Sequence, residues 1–414
     1  MANIQEITAK EFDTWAQSHP LVSMFQDSRW AKLKSNHWQS KFIALKSEQQ
    51  ILAASLILIR QLPAGFKFWY LPRGPLFDQT EPEVLRIFSQ NLKKFARQRR
   101  ALIIKADPNI LLSSEPFKQA REHIGQTKSA QTVDDFLAAG WRHFGFNLRM
   151  SDTIQPRFNA VIYLDKNWQT RLTSKLRQYV RKGESMGIAT ELIKLKDIDR
   201  FAKIMQITSQ DKGISLRNQA YFTKVMQTFA DDCKVAISSL YPEKWQIALK
   251  DKITDLKNQI SQTNSTTGAK KIAELNNQLT AAKRSLDEAK KLAKIGSKLD
   301  LACSMGIIIN QHMEMIYGGM DRQFSKMNGS HIVDYWLAKL AAEEGCVSAS
   351  IGGIEGTLDD PLSEFKQAFG TNVDEYIGEF ALYTYPILSK LFDKLLPKIK
   401  QISKKLRRQS RNAK

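Results

Sequence analysis

Residues able to make or break bonds are scattered through this sequence, and no familiar catalytic spacing groups them. There is no Gly-rich phosphate loop ending in Lys-Ser/Thr, no GxSxG elbow, no HExxH and no CxxC pair. The six histidines lie apart, and Cys233, Cys303 and Cys346 lack metal-ligand spacing. Neither a metal centre nor a Cys or Ser nucleophile is therefore expected. Positive charge does cluster. Lys175, Arg177, Arg181 and Lys182 fall within two helical turns of KLRQYVRKG, and Lys390–Lys414 carries ten Lys and Arg against one acid, Asp393. Such clusters bind phosphates without reading a base sequence, which makes RNA a candidate partner. The C-terminal cluster also suits an anionic lipid surface.

Composition points the same way. Lys and Arg total 62 against 42 Asp and Glu, a net charge of +20 and a pI near 9.7. An imbalance of that size speaks of polyanionic partners rather than of fold. The 43% hydrophobic content allows packed cores, and 414 residues suggest two or three units. Three unpaired cysteines fit free thiols in a reducing compartment. The start, MANIQEITAKEF, lacks the basic-then-apolar pattern of a signal peptide. The longest apolar stretch, around Ile51–Ile59, is far short of the roughly 20 residues of a spanning helix. A cytoplasmic protein is expected, peripheral at most to the inner face of the membrane.

The elements that must position any site can be read next. KFIAL and ILAASLILI read as two strands joined by a polar turn, followed by the aromatic strand FKFWYLPRGP. CKVAISSL, LDLACSMGIIINQH and EMIYGGMDR repeat that rhythm in the second half, which suggests a duplicated unit. Between the first two of these strands Leu249, Ile253, Leu256 and Ile260 recur at spacings of four, three and four. After QTNSTTGAK the rhythm resumes in Ile272, Leu275, Leu279, Ala282, Leu286 and Ala289. That is the seam of an antiparallel coiled-coil hairpin, an arm inserted at a strand turn. VLRIFSQNLKKFARQRR and HIVDYWLAKLAAEEG read as amphipathic helices, each leading into a strand. Strands mixed with helices and hairpins indicate an α/β (α+β) body.

Several long segments then carry a resemblance: TIQPRFNAVIYL, KLRQYVRKGESMGI, DKGISLRNQAYF, YGGMDRQFSKMNGSHIVDYWLAKLAAEEGC and IGGIEGTLDDPLSEFKQAFGTNVDEYIGEF. Together they resemble the Fem family (FemA, FemB, FemX and the related Mur aminoacyltransferases) over nearly the whole chain. The arm suggests the FemA and MurM types rather than a compact FemX type. The resemblance implies two acetyltransferase-like (GNAT) domains. On that reading residues 1–152 form the first, with 376–414 packing on it; 153–241 and 299–375 form the second; 242–298 form the arm. It also implies transfer of an amino acid, of the Gly, Ala or Ser class, from aminoacyl-tRNA to an amine of a peptidoglycan stem peptide. The acceptor would be the UDP-linked or lipid-linked muropeptide, and neither metal nor CoA is needed.

The resemblance also implies roles for single residues. Lys32 in SRWAKLK matches a precursor-binding basic residue, and Asp107 in KADP an acid of the substrate cleft. Arg217 and Tyr221 in GISLRNQAYF match positions that hold the precursor's phosphates, and Tyr317 in YGGMDR matches a cleft tyrosine. Phe365 and Lys366 in SEFKQAFG match the pair at the acyl-transfer site; Arg73 in YLPRGP stands where some members have Lys, which implies a weaker contact to the precursor. Arg217 and Tyr221 are four apart, which would place them on one face of a helix. The chemistry suits so spare a set. An aminoacyl ester is already activated, so positioning an amine and stabilising the oxyanion suffice, with Lys366 as the charge and Asp107 as the proton acceptor. A CoA-dependent GNAT is the rival enzyme, but RKGESMG is a poor match to the pyrophosphate loop that chemistry uses. A non-enzymatic RNA-binding adaptor that docks partners through the arm is the rival of another class.

Overall fold

The structure, a computed structural model, describes residues 2–124, 130–263 and 268–390. The basic cluster beyond Lys390 lies outside the described residues. The chain divides into two compact units. One takes the chain up to Ala160, Gly353–Ser363 and the residues from Asn372 onward; the other takes Val161–Gly352 and Glu364–Thr371.

The first unit opens with β1 (Asn3–Ile7), α1 (Ala9–Ala16) and α2 (Ser28–Lys34). Both helices start on a side-chain cap, Thr8 accepting from the Glu11 N–H and Asp27 from the Arg29 N–H. The hairpin β2 (Gln39–Ser47) and β3 (Gln50–Gln61) follows, then β4 (Lys67–Leu71) and the short β5 (Leu76–Phe77). Next come α3 (Pro82–Gln98) and β6 (Ala101–Ala106). Pro82 suits the first turn of α3, where its missing N–H would have no helical partner. Val84, Leu85, Phe88, Leu92 and Ala96 recur at helical period and are the face α3 buries. Then come β7 (Leu111–Pro116), α4 (Phe117–His123), α5 (Gln131–Ala138) and β8 (Arg142–His143).

The chain passes into the second unit within β9 (Phe158–Tyr163). There follow α6 (Ser174–Ser185), β10 (Ile188–Leu192), α7 (Ile198–Asp211), α8 (Gln219–Phe229) and β11 (Cys233–Leu240). The paired helices α9 (Pro242–Gln262) and α10 (Ala269–Ala293) come next, then β12 (Leu299–Ile309) and β13 (His312–Met320). Last are α11 (Gly329–Glu343), β14 (Ser348–Ile354), α12 (Pro361–Gln367), β15 (Asn372–Tyr376) and β16 (Phe380–Tyr383).

One strand plan is written twice. In the first unit the order is β1-β2-β3-β4-β6-β16-β8, with β5 beside β3. The first three pairings are antiparallel, and β4 meets β6 in parallel across α3. In the second unit β10-β11-β12-β13 are antiparallel, and β13 meets β14 in parallel across α11. Two helices separate the first pair of strands in each copy: α1 and α2, then α7 and α8. The copies differ where β2 turns directly into β3, with Ser47 opposite Gln50, whereas α9 and α10 stand between β11 and β12.

Along the α9–α10 pair, Leu249, Leu256, Leu275, Ala282 and Ala289 are buried, and Ile253, Ile260, Leu279 and Leu286 pack against them. The Gln246 amide reaches the Ala289 carbonyl at 3.5 Å, so the two helices run antiparallel. At its root this seam merges with Met186, Ile188, Leu240 and Leu299 of the second unit's core. Lys298, at the exit from the arm, bonds Glu191 at 2.6 Å, and Glu191 also accepts from Arg200 at 2.8 Å. Arg200 in turn grips Asp300 through two bonds of 2.7 and 2.9 Å. A charge-paired network thus fixes the foot of the arm.

Candidate active site

In the first unit the segment after β4 folds tightly. The Gln26 side chain donates to the Pro72 carbonyl at 2.6 Å and accepts from the Leu56 N–H at 2.9 Å, tying that segment to β3. A side chain at Gly74 would meet the Ser55 hydroxyl at 2.7 Å and the Gln26 amide at 2.8 Å, so glycine is required there. Arg73 stands beside it at φ 53°, a left-handed backbone that a non-glycine residue seldom holds. Its N–H donates to the Asp107 carboxylate at 2.8 Å, and the Tyr70 hydroxyl donates to the other oxygen at 2.7 Å.

Asp107 is 3% exposed, and burial pushes its carboxyl up to about 6 against the opposing pull of the Arg73 cation. Burial and the neighbouring carboxylate likewise hold the Tyr70 phenol well above its usual range, so it stays a donor. The Arg73 guanidinium is committed: it donates to the Pro156 carbonyl at 2.9 Å and lies 3.9 Å over the Tyr376 ring. Two buried ion pairs belong to the same unit, Lys105–Glu379 at 2.5 Å and Arg157–Glu375 at 2.6 Å. Lys32 is exposed on α2, whose other side buries Trp30 and Leu33, and it joins neither Asp107 nor Arg73.

The second unit holds the other expected residues. Tyr221 and Tyr317 meet edge to face at 6.1 Å and share a hydrogen bond, and burial raises the Tyr221 phenol well above its usual range. The Arg217 guanidinium lies 4.9 Å over the Tyr221 ring. The three therefore come together, though not through a common helix. Asn218 caps α8, accepting from the Tyr221 N–H, so Arg217 precedes the helix and folds back over it.

Phe365 and Lys366 occupy α12 and face different surroundings. The Phe365 ring packs on His331 at 4.4 Å and on Phe369 at 5.4 Å. Lys366 is 6% exposed, and its ammonium lies 3.6 Å from where a side chain on Gly352 would begin. Gly352, at φ 83°, leaves that space open to the cation. Burial pushes the Asp334 carboxyl of α11 up to about 6, against the opposing pull of Ser304 of β12 and of the Lys366 cation. Lys175, Arg177, Arg181 and Lys182 are all exposed on α6. Arg177 is partly committed, donating to the Leu172 carbonyl at 2.8 Å. Lys175 lies near Tyr179 and His331.

Sequence reasoning brought out Asp107 and Lys366 but missed Tyr70, Gln26, His331, Ser304 and Asp334. One of these left a signal. Asp334 sits on the helical stripe of Leu337, Ala338 and Ala341, where an acid is out of place unless it has a partner.

A FemAB family profile matches residues 7–396. The chain belongs to the FemAB family. Among its relatives is a lipid II:glycine glycyltransferase of Staphylococcus aureus (strain bovine RF122 / ET3-1), 25% identical over 97% of this chain and 99% of the relative. The lipid II:glycine glycyltransferase of S. aureus strain USA300 is 24% identical over the same shares. A crystal structure of FemX matches the fold with a TM-score of 0.74 at 22% identity, covering 95% of this chain and 99% of the FemX chain. The expected family and the expected mixed α/β body are thus borne out. Among the described residues of this FemAB chain, no helix is long and apolar enough to cross a membrane.

Proposed function

We propose that this FemAB chain is an aminoacyltransferase that builds the interpeptide bridge of peptidoglycan. It takes an amino acid of the Gly, Ala or Ser class from aminoacyl-tRNA and joins it to an amine of the precursor stem peptide. The carrying observation is the buried Lys366 ammonium over Gly352, in a chain whose relatives along its full length are glycyltransferases of lipid II. Glycine and a lipid-linked acceptor are therefore the first pair to test.

The acceptor amine nitrogen attacks the ester carbonyl carbon, and a carbon–nitrogen bond forms while the carbonyl electron pair moves to oxygen. Lys366 faces that oxyanion as a fixed positive charge in a place where water screens it little. Collapse of the intermediate breaks the ester carbon–oxygen bond and releases the tRNA ribose hydroxyl. The amine proton ends on the departing ribose oxygen. Phe365 holds α12 through His331 and Phe369. Lys32, Arg217, Tyr221 and Tyr317 bind the precursor, and Arg73 serves chiefly to set Asp107. Lys175, Arg181 and Lys182, with a smaller part for Arg177, meet tRNA phosphates. The basic C-terminal cluster draws the chain to the anionic inner face of the membrane.

The test uses purified chain, total tRNA charged with labelled glycine, alanine or serine, and lipid-linked or nucleotide-linked pentapeptide. Label should appear on one acceptor. Replacing Lys366 by Met should cut transfer by about 10²–10³-fold while precursor binding persists. No transfer to either acceptor from any of the three would overturn the proposal.

A further inference from the structure

The C-terminal end of α3 carries positive charge that the scheme above does not use. Lys93, Lys94, Arg97 and Arg100 are exposed there, while Arg99 beside them is paired with Glu6 at 3.3 Å. Aromatic rings stand between the cations. The Arg100 guanidinium lies 5.2 Å over the Phe66 ring, Phe66 meets Tyr385 edge to face at 5.5 Å, and Arg97 lies 5.3 Å over Tyr385. Two hydrogen bonds fix this row: the Tyr385 hydroxyl donates to the Arg97 carbonyl at 3.2 Å, and Arg100 donates to the Ala64 carbonyl at 2.8 Å. The stretches 49–77, 84–106 and 380–390, which supply these residues, hold no Asp or Glu.

Next to Tyr385 the chain turns outward. The Thr384 and Ser389 hydroxyls both donate to the Leu102 carbonyl of β6, at 2.8 and 2.5 Å, and the Ser389 N–H donates to the Tyr385 carbonyl at 2.8 Å. Both ends of the turn are thus pinned to the sheet. Between them Pro386, Ile387 and Leu388 are exposed, Ile387 by 85% and Leu388 by 47%. Ile387 is the most exposed large hydrophobic residue among the described residues, and the exposed Lys390 follows it. RNA would answer the cations and the rings but would gain nothing from the aliphatic pair. The surface of an anionic bilayer answers all three: phosphates take the cations, the headgroup level suits the rings, and the acyl boundary takes the aliphatic side chains.

We propose that this face of the first unit is a docking surface for anionic lipid. Ile387 and Leu388 enter the acyl boundary while the cations at the end of α3 lie on headgroup phosphates. The inference rests on the reading that the acceptor is lipid-linked, and it adds a second, folded contact to the pull of the C-terminal cluster. Sedimentation of the full-length chain with vesicles tests it. Binding should be firm to mixed phosphatidylglycerol and phosphatidylcholine and weak to phosphatidylcholine alone. Ile387→Ser with Leu388→Ser alters no charge and leaves the C-terminal cluster in place, yet should weaken binding by about tenfold or more. Arg97→Gln with Arg100→Gln should weaken it by about fivefold per cation removed. Neither pair should change the thermal midpoint, the affinity for tRNA, or transfer to lipid-linked pentapeptide dispersed in detergent. Transfer in detergent needs no bilayer, so it reports the parent reading separately from the docking surface. Vesicle binding unmoved by both pairs would leave the C-terminal cluster as the contact and overturn the proposal. Equal binding to both kinds of vesicle, or an equal loss of tRNA binding in Arg97→Gln with Arg100→Gln, would overturn it as well, the latter by making this face an RNA surface.

Discussion

The Asp107 carboxyl combines burial with two donated hydrogen bonds, and the balance leaves it near 6, above the value of about 3.9 it takes in an unfolded chain. The sign follows. Its stabilising contribution is complete below about pH 3.9 and is lost as pH rises through about 6. Above that window the folded protein carries a buried charge that Asn would not carry. Asp107→Asn should therefore gain on the wild type between pH 5 and pH 8, by roughly 1–3 kcal/mol, whatever the fixed cost of altering the Tyr70 bond. Thermal unfolding of both proteins at the two pH values checks this, and a pH-independent difference would count against it. Asp107 could be picked out in the sequence, but its environment could not. Tyr70 and Gln26 reach their partners only through the tight turn at Gly74, and no local pattern announces such contacts. Phe365 shows the same limit: its place beside Lys366 is plain in the sequence, while its packing on His331 depends on α11 lying against α12.

The arm and the meander strands are the elements most openly written in the sequence, because each rests on a short period that a stretch of chain declares by itself. The three-four seam predicts the residues that are buried between α9 and α10. Leu256 is 4% exposed in the middle of that seam. Leu256→Ala should cost about 2–4 kcal/mol locally and loosen the outer arm, while the sheets keep their protection. Amide exchange across α9 and α10, compared with β11 and β12, reads the difference. Protection lost equally in the strands would show that the arm and sheet unfold together. Less legible was the closure of the first unit's sheet. β16 lies between β6 and β8, Phe380 opposite Ala106 and His143, and pairings so distant along the chain leave no local trace.

At the scale of the whole molecule, the +20 charge should govern association more than stability. Arg177 is partly tied to the backbone, which leaves Lys175, Arg181 and Lys182 as the main phosphate contacts of α6. Binding of tRNA should weaken steeply with salt, and replacing Arg181 or Lys182 by Gln should lower the log–log slope by roughly 1 each. Fluorescence titrations from low to moderate salt measure that slope. Equal slopes in wild type and variants would move the RNA contact elsewhere.

The position of β16 also bears on how the protein is made. During synthesis from the N-terminus, β6 emerges early, yet its outer neighbour arrives only after the whole of the second unit has been translated. For most of that interval the nascent chain presents an open strand edge over the apolar run Ala101–Ile104. The first unit is thus begun first and finished last, and the second can close while the first still waits for its final strand.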